Sequence, residues 1–196
     1  IARVHMAGEK EVKAAIDAAL GAHQMWSNMP WEARCAIFLK ASELLAGPRR
    51  AEINAATMLN QSKTCHQAEI DSACELIDFW RFNSDYCRQI YEDLQPPVSP
   101  SSMWNSSEVR PLEGFVFSVT PFNFSSIAAN LPSCTAIMGN TGVWKPSRNS
   151  YVSNYRLMKL MMDAGLPSGV INFIPGKASL VGDICMNHSE LAGVHF

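Results

Sequence analysis

Two polar residues that directly follow apolar segments could do chemistry, namely Asn123 and Lys145. A neutral amide such as Asn123 donates two hydrogen bonds without titrating, which suits the stabilisation of an oxyanion. Its alternative role is to cap a helix that begins near Ser125. Lys145 could bond the ribose hydroxyls or the phosphate of a cofactor, and its alternative is a solvated charge. Ser147 is either a helix cap or a second cofactor contact.

These residues must be positioned by the second part of the sequence, where short apolar segments alternate with amphipathic ones. The pattern predicts strands at 115–120, 142–145, 170–174 and 193–196, with helices at 125–138, 151–164 and 178–186. Strands that alternate with helices in this way indicate βαβ units and a parallel sheet. Ligands of such sheets bind at the carboxyl ends of the strands. The residues to test are therefore 120–123, 145–147, 175–176 and those after Phe196.

The first part of the sequence has a helical rhythm. Helices are predicted at 9–25, 31–46, 49–59 and 66–91, and the last of these should turn Ile70, Ala73, Ile77 and Trp80 toward a core. Three prolines at 96–100 end this part. Residues 103–112 are predicted to form a β-hairpin arm that crosses to another part of the protein. The predicted fold class is α/β: a helical segment (1–95), a linker and arm (96–113) and a Rossmann-like parallel core (114–196).

Composition excludes several other functions. The net charge of −2 and the scattering of the 16 basic residues give no electrostatic footprint for nucleic acid or an anionic membrane. No apolar run approaches the ~20 residues that cross a bilayer. The six cysteines form no CxxC pair, and neither they nor the five histidines have metal-ligand spacing. We therefore expect reduced thiols, used as small hydrophobic side chains, and no metal site.

One glycine-rich stretch resembles a phosphate loop but has the wrong context. Residues 139–142 (GNTG) precede a predicted strand instead of opening a helix, and they lack the GxGxxG pattern. We interpret them as a turn. The sequence begins without Met and ends within a predicted strand, so we expect it to be a piece of a longer protein. Spacing alone thus predicts a cofactor-binding α/β domain joined to helices, without specifying a reaction.

Five linked motifs go further, because their order and spacing resemble the aldehyde dehydrogenase superfamily over residues 8–196. The motifs are VTPFNF at 119–124, GN at 139–140, WKPS at 144–147, AGLP at 164–167 and VINFIPG at 170–176. The resemblance implies that Asn123 is the oxyanion donor and that Lys145 bonds the adenosine ribose of NAD. It also implies the roles of the remaining cofactor residues. Thr120, Pro121 and Phe122 line the cofactor cleft, Ser147 lies beside the ribose, Gly176 lies near the adenine, and Phe196 opens the next cofactor loop.

The mechanism that the resemblance implies uses a Cys thiolate and a Glu-activated water. None of the six cysteines matches that nucleophile, and both groups are expected downstream of Phe196. Arg148 and the loop at 175–178 (PGKA) depart from the usual family pattern. These departures leave the adenine contacts, and the choice of NAD over NADP, open.

A narrower set of motifs resembles the delta-1-pyrroline-5-carboxylate dehydrogenase branch, which oxidises glutamate semialdehyde to glutamate with NAD in proline breakdown. The set comprises QSKT at 61–64, QAEID at 67–71, ELIDF at 75–79, RFN at 81–83, LEGF at 112–115 and the Phe-Asn-Phe form of the 122–124 loop. Another branch with a different aldehyde, and a truncated nucleotide-binding relative without catalysis, remain alternatives. The branch implies a homo-oligomer, dimer or larger, in the mitochondrial matrix of a eukaryote or the cytoplasm of a bacterium.

Overall fold

The change of hydrophobic rhythm near residue 114 marks the boundary between a helical part and a parallel sheet. The computed structural model describes residues 2–196. The first part contains α1 (Glu9–Ser27), α2 (Trp31–Ala46), α3 (Arg50–Gln61), α4 (Cys65–Ala68), a π-helical segment (Glu69–Cys74) and α5 (Glu75–Asp93). The second part contains β1 (Phe115–Val119), α6 (Ser125–Ile137), β2 (Thr141–Lys145), a 3₁₀ turn (Arg148–Ser150), α7 (Tyr151–Ala164), β3 (Ile171–Phe173), α8 (Ala178–Met186) and β4 (Leu191–His195).

The four strands form one parallel sheet in the order β3-β2-β1-β4. This arrangement confirms the predicted fold class of a helical segment followed by βαβ units. β1 and β2 are central in this sheet and accept helices on both faces, which explains why both strands are largely buried and why β1 (FVFSV) is a nearly continuous apolar run.

Two hydrophobic cores lie on the two faces of the sheet. Phe115 and Phe117 of β1 point to a core formed with α1 and α8. Trp144 of β2 points to the opposite core, which also holds Phe38 of α2 and Trp80 of α5. Side chains alternate across a strand with a period of two, so neighbouring strand residues serve different cores. α6 and α7 pack on the second of these faces, and α1 and α8 on the first.

The predicted inward stripe on the fourth helix is correct at three of its four residues. Ala73, Ile77 and Trp80 are buried, but the side chain of Ile70 is 47% exposed. Ile70 lies in the π-helical segment, where the helix carries more residues per turn than the usual 3.6. Counting back from Ala73 in steps of an ordinary α-helix therefore assigns Ile70 to the wrong face.

The predicted β-hairpin at 103–112 is wrong for this chain. The described residues form no strand there, and the backbone is satisfied locally instead. The Ser107 amide donates to the Gln95 side chain at 3.0 Å, and the Asn105 amide donates to Ser99 Oγ at 3.0 Å. A hairpin needs a second strand, and the prolines of the preceding linker supply no ladder donors. An isolated hairpin is also marginal in water, so the arm stays irregular and the indole of Trp104 is 90% exposed.

The predicted turn at 139–142 is confirmed at Gly139 and Asn140, whereas Thr141 and Gly142 already belong to β2. Gly139 has a φ of +92°, and a Cβ there would approach the ring of Pro111 and the guanidinium of Arg34. Only glycine combines that backbone conformation with that closeness. Among the described helices, none has the length and apolar character needed to cross a bilayer.

Candidate functional site

The loops that follow the strands meet at one edge of the sheet, as the sequence predicted. Val119 of β1 lies opposite Lys145 of β2, and Ser118 lies opposite His195 of β4. Because these strands are parallel and end nearly level, the segments after them share the carboxyl edge. A ligand at that edge can contact residues from several loops at once.

The order of the sheet reverses beside β1, which makes the loop after β1 central to this edge. The chain passes from β1 to β2 through α6 on one face and returns to β4 through α8 on the other face. Open α/β sheets bind their ligands in the crevice formed at such a reversal. Residues 120–124 lie directly at this point.

Thr120 directly follows β1 and connects it to β2. Its amide donates to the Lys145 carbonyl at 3.2 Å, and its Oγ1 accepts from the indole N–H of Trp144 at 2.9 Å. Thr120 is buried, and the rings of Trp144 and Phe173 form a T-shaped pair. These contacts fix the backbone from which the following loop leaves the sheet.

Lys145 is a buried cation at the end of β2. The residue is only 9% exposed, and its Nζ donates to the neighbouring carbonyl of Pro146 at 3.1 Å. Burial lowers the pKa of the Lys145 ammonium from its ordinary value. Within residues 2–196, no carboxylate forms an ion pair with it. The solvated-charge interpretation is therefore wrong, and two N–H donors of this ammonium remain for a ligand.

Asn123 does not cap the helix that follows it. The N-cap residue of α6 is Phe124, whose carbonyl accepts from Ala128 N at 3.0 Å, and the cap has no side-chain bond. Asn123 is exposed, and its side chain makes no hydrogen bond to any described residue. Together with Phe122 it lines a cavity of about 350 Å³. The structure thus leaves a neutral amide free beside a space that can admit a small molecule.

Ser147 is likewise not used as a side-chain cap. Its carbonyl accepts from Ser150 N at 3.1 Å and so starts the 3₁₀ turn before α7, while the cap has no side-chain hydrogen bond. The Ser150 hydroxyl lies 3.5 Å from the Pro121 carbonyl, which joins the loop after β2 to the loop after β1. The half-buried hydroxyl of Ser147 remains available at the carboxyl edge.

Gly176 has a packing role that the sequence did not reveal. A Cβ at this position would lie 2.6 Å from Val181 Cγ2, and the residue bridges to Ala7. The Gly176 carbonyl accepts from the Tyr151 hydroxyl at 3.3 Å. Its place after β3 is separated from Asn123 by β2, while Phe196 follows β4 and is almost fully exposed.

The end of α3 forms one wall of the cavity. In the sequence, this region was marked only by the branch motif QSKT at 61–64. The 60–63 segment lines the cavity opposite Phe122 and Asn123. Ser62 adopts the left-handed conformation with φ of +55°, and this turn ends α3. The periodicity of apolar residues carries no information on such a polar turn, so only the family motif marked it.

None of the six cysteines is placed as a nucleophile for this cavity. All six are unpaired thiols, and none lines the cavity beside Asn123 within the part of the chain that the structure describes. Burial raises the pKa of Cys134 and of Cys185 to about 11. The raised pKa values of these two thiols do not fit a reactive nucleophile, which needs a lowered pKa. The same part of the chain has no cluster of His, Cys, Asp or Glu that could hold a metal ion.

Comparisons with known families and curated proteins agree with this geometry. The model of the aldehyde dehydrogenase family matches residues 1–196. The chain is 47% identical over its whole length to a probable delta-1-pyrroline-5-carboxylate dehydrogenase of Schizosaccharomyces pombe, of which it covers 36%. It is 43% identical over its whole length to the human protein named delta-1-pyrroline-5-carboxylate dehydrogenase, mitochondrial, of which it covers 34%. The chain therefore spans about a third of the length of these relatives.

Solved structures give the same result for the fold. The delta-pyrroline-5-carboxylate dehydrogenase from Mycobacterium tuberculosis, bound with NAD, is similar with a TM-score of 0.96 and 50% identity. That similarity covers 98% of this chain and 36% of the other. The 1-pyrroline-5-carboxylate dehydrogenase from Thermus with bound NAD is similar with a TM-score of 0.88 and 28% identity, over 96% of this chain and 36% of the other.

Proposed function

The chain belongs to the aldehyde dehydrogenase family, and on that premise we propose that it is part of an enzyme that oxidises L-glutamate 5-semialdehyde to L-glutamate with NAD. The observation that carries the proposal is the free amide of Asn123 beside a cavity at the carboxyl edge of the sheet. The matching relatives and structures bear the name of this branch and support the choice of substrate.

The chemistry of Lys145 fits NAD. A buried ammonium with one carbonyl partner and unused N–H donors can bond the hydroxyls of a ribose. When bound, NAD supplies the hydride acceptor. On the chain's side, Lys145 would hold the adenosine ribose with Ser147 beside it, and Gly176 would lie near the adenine.

The remaining cofactor contacts belong to the loops after β1 and β4. We propose that Thr120, Pro121 and Phe122 line the cofactor cleft and that Phe196 opens the next cofactor loop. Thr120 is held rigidly by Trp144, and Phe122 is exposed at the cavity, so the backbone is fixed where the side chain must meet a ligand.

Asn123 would act on the substrate. Its Nδ2–H donates to the aldehyde oxygen as that oxygen gains negative charge during attack by a thiolate. A neutral amide stays a donor at every pH at which the protein is folded. Since none of the six thiols lines the cavity, the attacking Cys is proposed to lie in the part of the relatives' length that this chain does not span. The water-activating Glu is assigned to the same part.

The irregular arm supports a proposal on assembly. Met103 and Trp104 are strongly exposed, and the backbone around them pairs with no strand among residues 2–196. An exposed apolar segment of this kind marks a surface for association with another protein chain. We propose that the arm joins copies into a homo-oligomer, dimer or larger. The word mitochondrial in the human relative's name supports a mitochondrial location in a eukaryote. We propose the matrix as that location, and the cytoplasm for a bacterial protein.

The test is the formation of NADH by the full-length protein with glutamate semialdehyde and with simple aliphatic aldehydes. We expect a higher kcat/KM for glutamate semialdehyde. A higher value for an aliphatic aldehyde would transfer the protein to another branch of the family. Binding of NAD without NADH formation from any aldehyde would support a non-catalytic nucleotide-binding protein instead.

A further inference from the structure

The 60–63 segment contacts both helices that follow the site loops, although it belongs to neither loop. Gln61 Nε2 donates to Ser125 Oγ at 2.7 Å, at the start of α6. It also donates to Ser153 Oγ of α7 at 3.1 Å. The neighbouring Asn60 Oδ1 accepts from the amides of Val152 and Ser153 at 2.9 and 3.1 Å. One short turn thus joins the beginnings of α6 and α7.

The 60–63 segment also contacts Phe124, the residue that follows Asn123. The Nζ of Lys63 lies 4.4 Å from the centre of the Phe124 ring, a cation–π contact. Lys63 is itself held by an ion pair with Asp71, and both side chains are largely buried. The 60–63 segment therefore contacts both Phe124 and Ser125, the two residues that follow Asn123.

We propose that Gln61 is a positioning residue for Asn123: it fixes the first turn of α6 and so holds the Asn123 amide at the cavity. The inference rests on the proposed role of Asn123 as oxyanion donor. Asn123 has no hydrogen bond of its own to a described residue, so its place depends on Phe124 and Ser125. Those two residues are contacted by Lys63 and Gln61.

The physical reason for a kinetic effect is the geometry of electrostatic stabilisation. An oxyanion donor acts only when it lies about 2.7–3.1 Å from the place that the oxygen will occupy. A misplacement of about 1 Å can cost about 100-fold in rate. Gln61 is the direct link between the cavity wall and the buried Ser125 hydroxyl. Removing that link frees the start of α6 to shift while the sheet stays in place.

The test is a double-mutant cycle in the full-length enzyme with Gln61→Met and Asn123→Ala. Methionine keeps the length of the side chain but donates no hydrogen bond. We expect Gln61→Met to lower kcat about 10- to 100-fold and to leave the KM for NAD unchanged. In the Asn123→Ala background the same substitution should have no further effect on kcat, because residues that act through one contact are not additive.

Ser125→Ala removes the other partner of the same hydrogen bond, and we expect it to lower kcat in the same way. The inference can therefore be tested even if the Gln61→Met protein does not fold. The matched control is Gln89→Met, a half-buried residue of α5 whose amide donates to Asp85 on the same helix, and it should retain wild-type kcat. Full additivity of Gln61→Met with Asn123→Ala, or a rise in the KM for NAD without a loss of kcat, would overturn the inference alone. An unchanged kcat in Asn123→Ala would overturn the proposed role of Asn123 and the inference together.

Discussion

Lys145 and Asn123 belong to loops at the same edge of the sheet, after neighbouring strands, yet the protein holds them in opposite ways. Lys145 is buried, charged and bonded to a single carbonyl. Asn123 is exposed, neutral and free of hydrogen bonds to described residues. The buried charge is maintained at a cost in desolvation, which a bound ligand can offset. The exposed amide costs nothing to maintain and depends on its neighbours for its position.

The difference indicates that Lys145, in the cofactor half of the proposed site, and Asn123, in the substrate half, have different tasks. A desolvated cation discriminates ligands by charge and hydroxyl pattern, and its strength varies with pH. A neutral amide gives a response that does not vary with its own protonation. Substitutions at the two residues should therefore change different kinetic constants.

The largest expected effect is that of Asn123→Ala on turnover. Loss of one positioned oxyanion donor lowers kcat by about 10²–10³. The dissociation constant for NAD should stay at the wild-type value, because the contact proposed for Asn123 is made to the substrate. Steady-state rates and NAD titration by protein fluorescence would measure both. An NAD affinity that falls with kcat would show that Asn123 belongs to the cofactor half.

In the full-length enzyme, Lys145→Met should instead weaken the binding of NAD. A hydrogen bond to a charged group is worth about 1.5–3 kcal/mol, so NAD should bind about 10- to 100-fold more weakly. The matched control is Lys159→Met, an exposed lysine on α7. Equal NAD affinities for the Lys145 and Lys159 variants would remove Lys145 from the cofactor site.

The helices and strands could be predicted from the sequence because the periodicity of apolar residues and the positions of helix-breaking residues indicate the same boundaries. The helices α2, α7 and α8 begin and end at the predicted residues. Breakers stop two of them, Gly47 after α2 and Gly165 after α7. Because the strands are parallel, their carboxyl ends lie at the same edge of the sheet. The position of Asn123 and Lys145 at that edge was therefore also predictable.

The remaining features depend on contacts that local patterns do not encode. Gln61 meets Ser125 and Ser153 across 64 and 92 residues of sequence. Whether Asn123 caps α6 depends on the helix start to within one residue: α6 begins at Ser125, as predicted, and its N-cap is therefore Phe124 and not Asn123. The phase change at Ile70 arises from a π-helical turn, and no feature of an amphipathic pattern announces one.

The pH dependence of NAD binding should distinguish the two halves further. Lys145 offers its charge only while protonated, and burial lowers its pKa from the ordinary 10.5. NAD affinity should be full below the lowered pKa and should decline as the pH rises through it. At high pH the NAD affinity of the wild type should fall to that of Lys145→Met. The NAD affinity of Lys145→Met itself should not show this decline with pH. NAD titrations of the two proteins across this pH range would detect it, and parallel profiles would contradict the assignment.

The smallest effect concerns the stability of the ligand-free protein. Between the lowered pKa of Lys145 and its ordinary 10.5, the unfolded chain holds a proton that the native protein has released. The unfolded state therefore binds more protons, and this residue makes the free energy of unfolding rise with pH. Below that window the burial cost of the ammonium is present in full. Lys145→Met removes the cost, so its advantage over wild type should shrink as the pH rises through the window. Urea unfolding at a series of pH values measures the difference. Lys159→Met should follow wild type throughout, and a constant gap for Lys145→Met would mean that the ammonium is hydrated in the native protein.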